Sequence, residues 1–146
     1  MKPINAAVLG MIACGVISFE LHAQATMLAS SGVYTAPQAA RGGALYQSKC
    51  SLCHGADLSG DGMAPPLAGP DFSAHWAGQP VADLFDQIHT AMPSDQPGTR
   101  TAQQAADLVA FLLNSNKFPA GQAELPAAME QLKLILVDGG SPAPAN

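Results

Sequence analysis

A short motif at residues 50–54, with the sequence Cys-Ser-Leu-Cys-His, constrains this chain more than any other feature. Its two thiols, Cys50 and Cys53, are separated by two residues, and the imidazole of His54 follows directly. This spacing is typical of the covalent attachment of haem c, in which each sulfur forms a thioether with the haem. His54 would then bind the haem iron on one face. The motif therefore predicts a chain that folds around a haem and passes electrons.

The same cysteine pair also fits a thioredoxin-like redox site or half of a zinc site. A zinc site needs four ligands, and a redox pair expects a strand before it and a helix after it. The only further thiol is Cys14, which lies in a segment that we expect to be removed. Haem attachment is therefore the favoured interpretation.

Composition and charge agree with a small exported protein that contains a large apolar group. Its 146 residues predict one domain at most, with 5% aromatic and 12% charged residues, so the polypeptide alone would have a thin core. A single haem would supply the missing apolar volume, and the sequence contains no second haem motif. The net charge of -5 argues against nucleic acids and anionic membranes as partners.

The first 25 residues resemble a signal peptide. Lys2 precedes an apolar run at residues 6–19, and Ala-Gln-Ala at residues 23–25 matches a cleavage site. A membrane anchor is the alternative, but about 14 apolar residues is short of the ~20 that span a bilayer. A lipoprotein signal with Cys14 as the lipidated residue is a second alternative. We expect export to the periplasm and no membrane span in the mature chain.

The remainder divides by composition and periodicity. We expect a mobile lead-in at residues 26–36, a main domain at 37–126, a C-terminal strap at 127–138 and a disordered tail at 139–146. Within the domain, apolar periodicity predicts helices at residues 37–50, 80–91 and 101–114. Many Gly and Pro residues between 55 and 80 argue against regular structure there. Residues 129–137 fit a short helix or an extended segment. The predicted fold class is all-α, with three to four core helices around one haem.

Three local patterns refine these helices. Thr101 and Gln104 have the spacing of a capping box at the start of the last helix. Pro93 favours an extended backbone at Met92 and so ends the helix before it. Gly42 shares a helix face with the first cysteine, and it marks either a close crossing with another helix or a loose helix start.

The iron would need a sixth ligand if it is to transfer electrons. Met92 is our preferred candidate, because it follows a helix, precedes a proline and is far enough from His54 for the chain to pass around the ring. A thioether donor favours Fe(II) and raises the reduction potential. The other candidates are Met63, Met129, His75 and His89.

Further pocket residues follow from the needs of a ligating imidazole. Its second N–H usually donates to a carbonyl or carboxylate, and the backbone carbonyl of Pro65 is a suitable acceptor. Leu67 would then pack on the haem edge, and Trp76 has the size and the N–H to close the propionate side. Asp57 and Asp61 are expected to be turn residues rather than calcium ligands.

These motifs together resemble the class I c-type cytochromes over residues 39–114. The resemblance is carried by the Gly-x-x-x-Tyr motif at 42–46, Cys-x-x-Cys-His-Gly at 50–55, Ala-Pro-Pro-Leu-Ala-Gly at 64–69 and Met-Pro at 92–93. It implies that the first and last helices cross near Gly42 and Phe111, that Pro65 supports His54, and that Met92 is the distal ligand.

More narrowly, residues 76–121 are similar to monohaem cytochromes that accompany bacterial periplasmic dehydrogenases, including quinoprotein alcohol dehydrogenases. This resemblance implies a non-catalytic electron carrier between a dehydrogenase and an oxidase or other acceptor. One alternative is a permanently bound subunit of such a dehydrogenase, with the segments after Asn116 packed on the catalytic partner. Another is a five-coordinate haem that binds ligands or reduces peroxide.

Overall fold

Helices form nearly all the regular structure of residues 25–139, the part of the chain that the computed structural model describes. Two-residue strands, β1 (Met27–Leu28) and β2 (Ile135–Leu136), form one parallel pair. The predicted all-α fold class is confirmed. The helices are α1 (Ala36–Lys49), α2 (Ser51–His54), α3 (Pro70–Trp76), α4 (Val81–Asp86), α5 (Ala102–Ser115) and α6 (Met129–Leu132).

The long helices α1 and α5 begin where local chemistry favours a helix start. The Thr35 side chain caps α1 by accepting from the Gln38 N–H, at 3.3 Å. At α5, Thr101 and Gln104 form the reciprocal bonds of a capping box, which confirms that prediction. Both helices follow the predicted bounds within a residue or so.

The two long helices cross with their backbones in contact at Gly42. A Cβ added to Gly42 would overlap the carbonyl oxygen of Asp107 and lie 2.8 Å from Cβ of Phe111. Four residues further along α1, the ring of Tyr46 lies 5.1 Å from that of Phe111, centroid to centroid. The structure therefore decides between the two interpretations of Gly42 in favour of a close helix crossing.

The prediction that residues 55–80 contain no regular structure was wrong for α3. Pro70 occupies the first turn of that helix, where a missing backbone N–H costs little. The rest of α3 contains neither Gly nor Pro, because the breakers lie before and after it. Counting helix-breaking Gly and Pro residues over the whole segment concealed this short stretch without them.

Helix α4 begins after Pro80, as predicted, but it does not continue as one α-helix to Met92. Residues Gln87–Ala91 form a π-helical turn, and Met92 follows with an extended backbone (φ -116°, ψ 145°). The predicted apolar face is buried: Val81, Leu84, Phe85 and Ile88.

The lead-in expected to be mobile, residues 26–36, is packed on the domain in the structure. Ala29 and Tyr34 are fully buried. The Tyr34 hydroxyl donates to the carbonyl of Phe118 at 2.6 Å, and the Gly121 N–H donates to the carbonyl of Tyr34 at 2.6 Å. Small polar residues had suggested an unattached segment, but long-range hydrogen bonds fix it.

The C-terminal strap adopts both forms that the sequence allowed, a short helix (α6) followed by an extended strand (β2). Leu132, Ile135 and Val137 are buried. These residues therefore pack within the chain itself. Before the strap, the Gln38 side chain exchanges two hydrogen bonds with the backbone of Leu125, at 3.0 and 2.7 Å.

Two predictions lie mostly outside residues 25–139, namely the signal peptide at 1–25, with Cys14, and the tail at 139–146. Within the described range, no helix combines the length and apolar character that crossing a bilayer requires.

Candidate functional site

The cysteine–histidine motif begins where α1 ends. The Cys50 N–H donates to the carbonyl of Tyr46 at 2.8 Å, as the last bond of α1. The carbonyl of Cys50 then accepts from the N–H groups of Cys53 (3.2 Å) and His54 (3.0 Å). These bonds form the one-turn helix α2, which places both thiols and the imidazole at the end of α1. Cys50 is half-buried, Cys53 is exposed, and neither is in a disulfide.

The imidazole of His54 is oriented by the loop that follows it, which contains Pro65. Its Nδ1 lies 3.0 Å from the carbonyl oxygen of Pro65. A carbonyl can only accept, so Nδ1 carries the proton and Nε2 keeps its lone pair for a metal. The hydrogen bond that the sequence suggested between these residues is therefore present.

The loop after His54 is held by its own aspartates. The Asp57 carboxylate accepts from the N–H of Ser59 at 3.1 Å, and Asp61 accepts from the N–H groups of Met63 and Ala64 at 2.9 and 2.8 Å. Hydrogen bonds to these acceptors lower the pKa of both carboxyls. This geometry agrees with their interpretation as turn residues.

A tyrosine hydroxyl anchors the motif to α1. The Tyr46 O–H donates to the carbonyl of Gly55 at 2.6 Å, directly after His54. Burial, followed by the charges of Cys50 and Asp57, raises the pKa of Tyr46 to about 12, so the hydroxyl remains a donor. The sequence placed Tyr46 on the right helix face but gave no signal for this bond.

The distal candidates occupy different places. Met92 is half-buried where the π-helical turn ends. Met63 is 96% exposed and lies in the same loop that orients His54. The ring of His89 lies 5.5 Å from that of Phe85. The remaining two candidates are half-buried Met129, at the start of α6, and exposed His75, whose ring meets Trp76 edge-on.

The predicted apolar pocket residues belong to one cluster. Leu67 and Trp76 are half-buried and pack against the same hydrophobic core as Cys50. Asn116 fixes the backbone of this region by donating from Nδ2 to the carbonyl of Leu67 at 3.0 Å. The structure thus places Cys50, Leu67 and Trp76 at the margin of one hydrophobic core.

Sequence reasoning missed Arg100, which precedes α5. Its Nε is buried and is the one buried side-chain nitrogen or oxygen among residues 25–139 that lacks a hydrogen-bond partner. Burial raises the pKa of the Cys50 thiol, and the positive charge of Arg100 acts in the opposite direction. An unpaired cation near Cys50 suits a cofactor that carries carboxylates. The two thiols and the oriented imidazole of the motif therefore fit the attachment of haem c.

A zinc site finds no support in this region, since no cluster of three or more His, Cys, Asp or Glu side chains that could hold a metal ion occurs within residues 25–139. The half-site at Cys50 and Cys53 lacks further ligands of this kind in the described chain.

Comparisons with known proteins agree with these features. A family model described as "Cytochrome C oxidase, cbb3-type, subunit III" matches residues 37–112. Among solved structures, the chain is similar to one in the crystal structure of the sulfane dehydrogenase SoxCD from Paracoccus pantotrophus. The two share 24% identity with a TM-score of 0.56, over 93% of this chain and 72% of the other. At that identity the likeness establishes the fold alone. No curated protein matches this sequence.

Proposed function

Because the chain belongs to the family of cytochrome c oxidase, cbb3-type, subunit III, and is thus a class I c-type cytochrome, we propose that it is a periplasmic one-electron carrier with His54 and Met92 as iron ligands. The family implies a covalently bound haem c, and the single attachment motif supports one haem per chain. The observation that carries the proposal is the 3.0 Å hydrogen bond between His54 Nδ1 and the carbonyl oxygen of Pro65.

In this proposal each residue has a distinct role toward the cofactor. Cys50 and Cys53 hold it through thioether bonds, and His54 presents Nε2 to the iron. Met92 supplies a thioether sulfur from the end of the π-helical turn, which favours the reduced state. Pro65 fixes the imidazole plane, while Leu67 and Trp76 exclude water. The haem itself supplies the reversible one-electron change.

The surface near the motif suits electron transfer without a bound substrate. Leu52, which lies between the two cysteines, is 94% exposed, so this part of the motif lies at the protein surface. Electrons would pass to a docked protein at this part of the surface, with no substrate bound.

We propose a periplasmic dehydrogenase as the donor and an oxidase or another redox protein as the acceptor. The signal-like residues 1–25 support export, and the net charge of -5 favours partners with a neutral or basic docking face.

A second candidate function is that of a permanently bound electron-transfer subunit of a dehydrogenase. It is favoured by the shared fold with a chain of the sulfane dehydrogenase SoxCD. Size-exclusion chromatography of the native protein from its own periplasm separates the two. A free carrier elutes at the size of one small domain, whereas a subunit elutes with a larger protein that has dehydrogenase activity.

Absorption spectra of the wild type and of Met92→Leu test the ligand assignment. We expect a c-type reduced spectrum, a haem-increased mass and a weak near-infrared sulfur-to-iron band in the oxidised wild type. Met92→Leu should keep the haem, lose that band and bind carbon monoxide when reduced. Met129→Leu and Met63→Leu are matched controls that should keep the band. Loss of the band in either control, with retention in Met92→Leu, would contradict the assignment.

A further inference from the structure

The Nε of the Arg100 side chain has no hydrogen-bond acceptor among residues 25–139. Its Nη2 donates to Thr99 Oγ1 at 3.1 Å, but its Nε is buried with no hydrogen-bond partner. The ion pairs of residues 25–139 involve Arg41 and Lys133, not Arg100. A guanidinium is always protonated, so its buried N–H groups need acceptors.

Such an unpaired group is expensive in a folded protein. Leaving a buried donor unsatisfied costs free energy of folding, and the cost is larger when the donor is charged. The backbone at Arg100 is positioned by α5, because Thr101 directly after it is the capping residue of that helix. Since the described polypeptide offers no acceptor to the buried Nε, the missing acceptor is expected to come from a bound group.

The position of Arg100 indicates which group this is. It lies close enough to Cys50 for its charge to affect that thiol, and it ends the loop that begins at Met92. A carboxylate on a docking protein would not reach a buried Nε. Haem carries two propionate carboxylates, and a guanidinium binds a carboxylate through parallel N–H bonds.

We propose that Arg100 binds a haem propionate and raises the reduction potential of the haem. This inference rests on the proposed function, since it requires an attached haem. A positive charge beside the propionate stabilises the reduced state, which has one positive charge fewer at the iron. A half-buried pair is screened less by water than a surface pair, so the effect should be measurable.

Reduction potentials of Arg100→Gln, Arg100→Lys and Lys49→Gln test the proposal. Lys49→Gln is the matched control, because it removes one positive charge from an exposed residue next to Cys50. We expect Arg100→Gln to lower the equilibrium constant for reduction roughly tenfold, which is about 59 mV for one electron. Lys49→Gln should change this equilibrium constant much less. The reduction potential of Arg100→Lys should stay close to that of the wild type. The propionate modes in resonance Raman spectra should change in both Arg100 variants but not in Lys49→Gln.

The mass and reduced spectrum of each protein are recorded first, so that the two proposals fail separately. A wild type without attached haem contradicts the proposed function. Attached haem in every protein, with equal potentials for the wild type and Arg100→Gln, overturns the role of Arg100 alone. An equal drop in Lys49→Gln also overturns it, since net charge would explain the shift. If Arg100→Gln does not accumulate with haem, the Raman spectrum of Arg100→Lys decides: unchanged propionate modes reject the contact.

Discussion

At the scale of single residues, the His54 side of the site is held by hydrogen bonds to backbone carbonyls and to one carboxylate, rather than by ion pairs. The Pro65 carbonyl accepts from His54, the Gly55 carbonyl accepts from Tyr46, and the Asp61 carboxylate accepts from two backbone N–H groups. These bonds define the path of the loop that delivers Pro65. The orientation of the imidazole thus depends on residues up to eleven positions away in the chain.

Replacing Asp61 by Asn should weaken this loop in a pH-dependent way. Hydrogen bonds from Ala64 and Met63 lower the pKa of Asp61 below its ordinary value of 3.8, so its stabilisation is present above that pH. It is lost as the pH falls through the folded-state pKa. Asp61→Asn should therefore be less stable than the wild type at pH 7, and the difference should shrink in acid. Urea unfolding of the haem-loaded proteins at several pH values measures this.

Asp86→Asn is the control for that experiment, because Asp86 is an exposed carboxylate on α4, away from the loop. A pH-independent difference between Asp61→Asn and the wild type would contradict the role assigned to the charge.

At the scale of elements, the crossing of α1 and α5 depends on the missing side chain at Gly42. The carbonyl of Asp107 occupies the space where a Cβ would lie. Across the same pair of helices, Arg41 forms a bidentate pair with Asp107, at 3.1 and 3.0 Å, and contacts Glu124 at 2.8 Å. Close backbone approach and this ion pair together fix the relative position of the two helices.

Gly42→Ala should destabilise the protein by about 1–3 kcal/mol, because backbone atoms cannot move aside as a side chain can. Gly43→Ala is the matched control. An added Cβ there would meet only the ring of Phe111, at 3.1 Å, while alanine gains about 0.5–1 kcal/mol in a helix. Urea unfolding curves of both variants give the comparison. Equal destabilisation by the two substitutions would show that the crossing is not the cause.

Sequence reasoning predicted the elements with strong local signals and missed those fixed by distant contacts. The capping box at Thr101 and the apolar periodicity before Ile88 are local, and both predictions are confirmed. The parallel pairing of β1 with β2 joins residues more than one hundred positions apart, so no local pattern predicts it. Arg100 was missed for a similar reason, since only the folded chain shows that its Nε lacks an acceptor.

The π-helical turn was predicted only in part from the sequence. Pro93 predicts that the helix ends before Met92, and it does. Propensity does not reveal the change from α to π geometry over Gln87–Ala91, because it depends on how α4 packs against its neighbours. Such turns often occur at functional sites. Here the turn sets the direction from which Met92 leaves the helix.

At the scale of the whole molecule, the segments before and after residues 37–126 pack on each other, and the C-terminal segment also packs on α4. Leu132 and Ile135 are fully buried, and α6 and β2 both contact α4. Since α4 leads into the turn that ends at Met92, the strap supports the element that carries the proposed distal ligand. The family match ends at residue 112, so this support lies outside the matched region.

Leu132→Ala should destabilise the protein by about 2–5 kcal/mol, the usual cost of truncating a buried leucine. We expect the near-infrared band to disappear at a lower temperature than helical circular dichroism does, because α4 loses its support first. Lys133→Ala is the control, as it removes only an exposed ion pair with Glu130. If the band and the helical signal of Leu132→Ala were lost together at the wild-type temperature, the strap would have no such role.

The pairing of Met27 with Ile135 and of Leu28 with Leu136 has a consequence for architecture. It brings the points of entry and exit of the folded unit side by side. A unit with adjacent ends can be spliced into a surface loop of a larger polypeptide, or joined head to tail after cutting elsewhere, at little cost in loop closure. This geometry would allow a redox domain to be inserted into an unrelated protein without disruption of its fold.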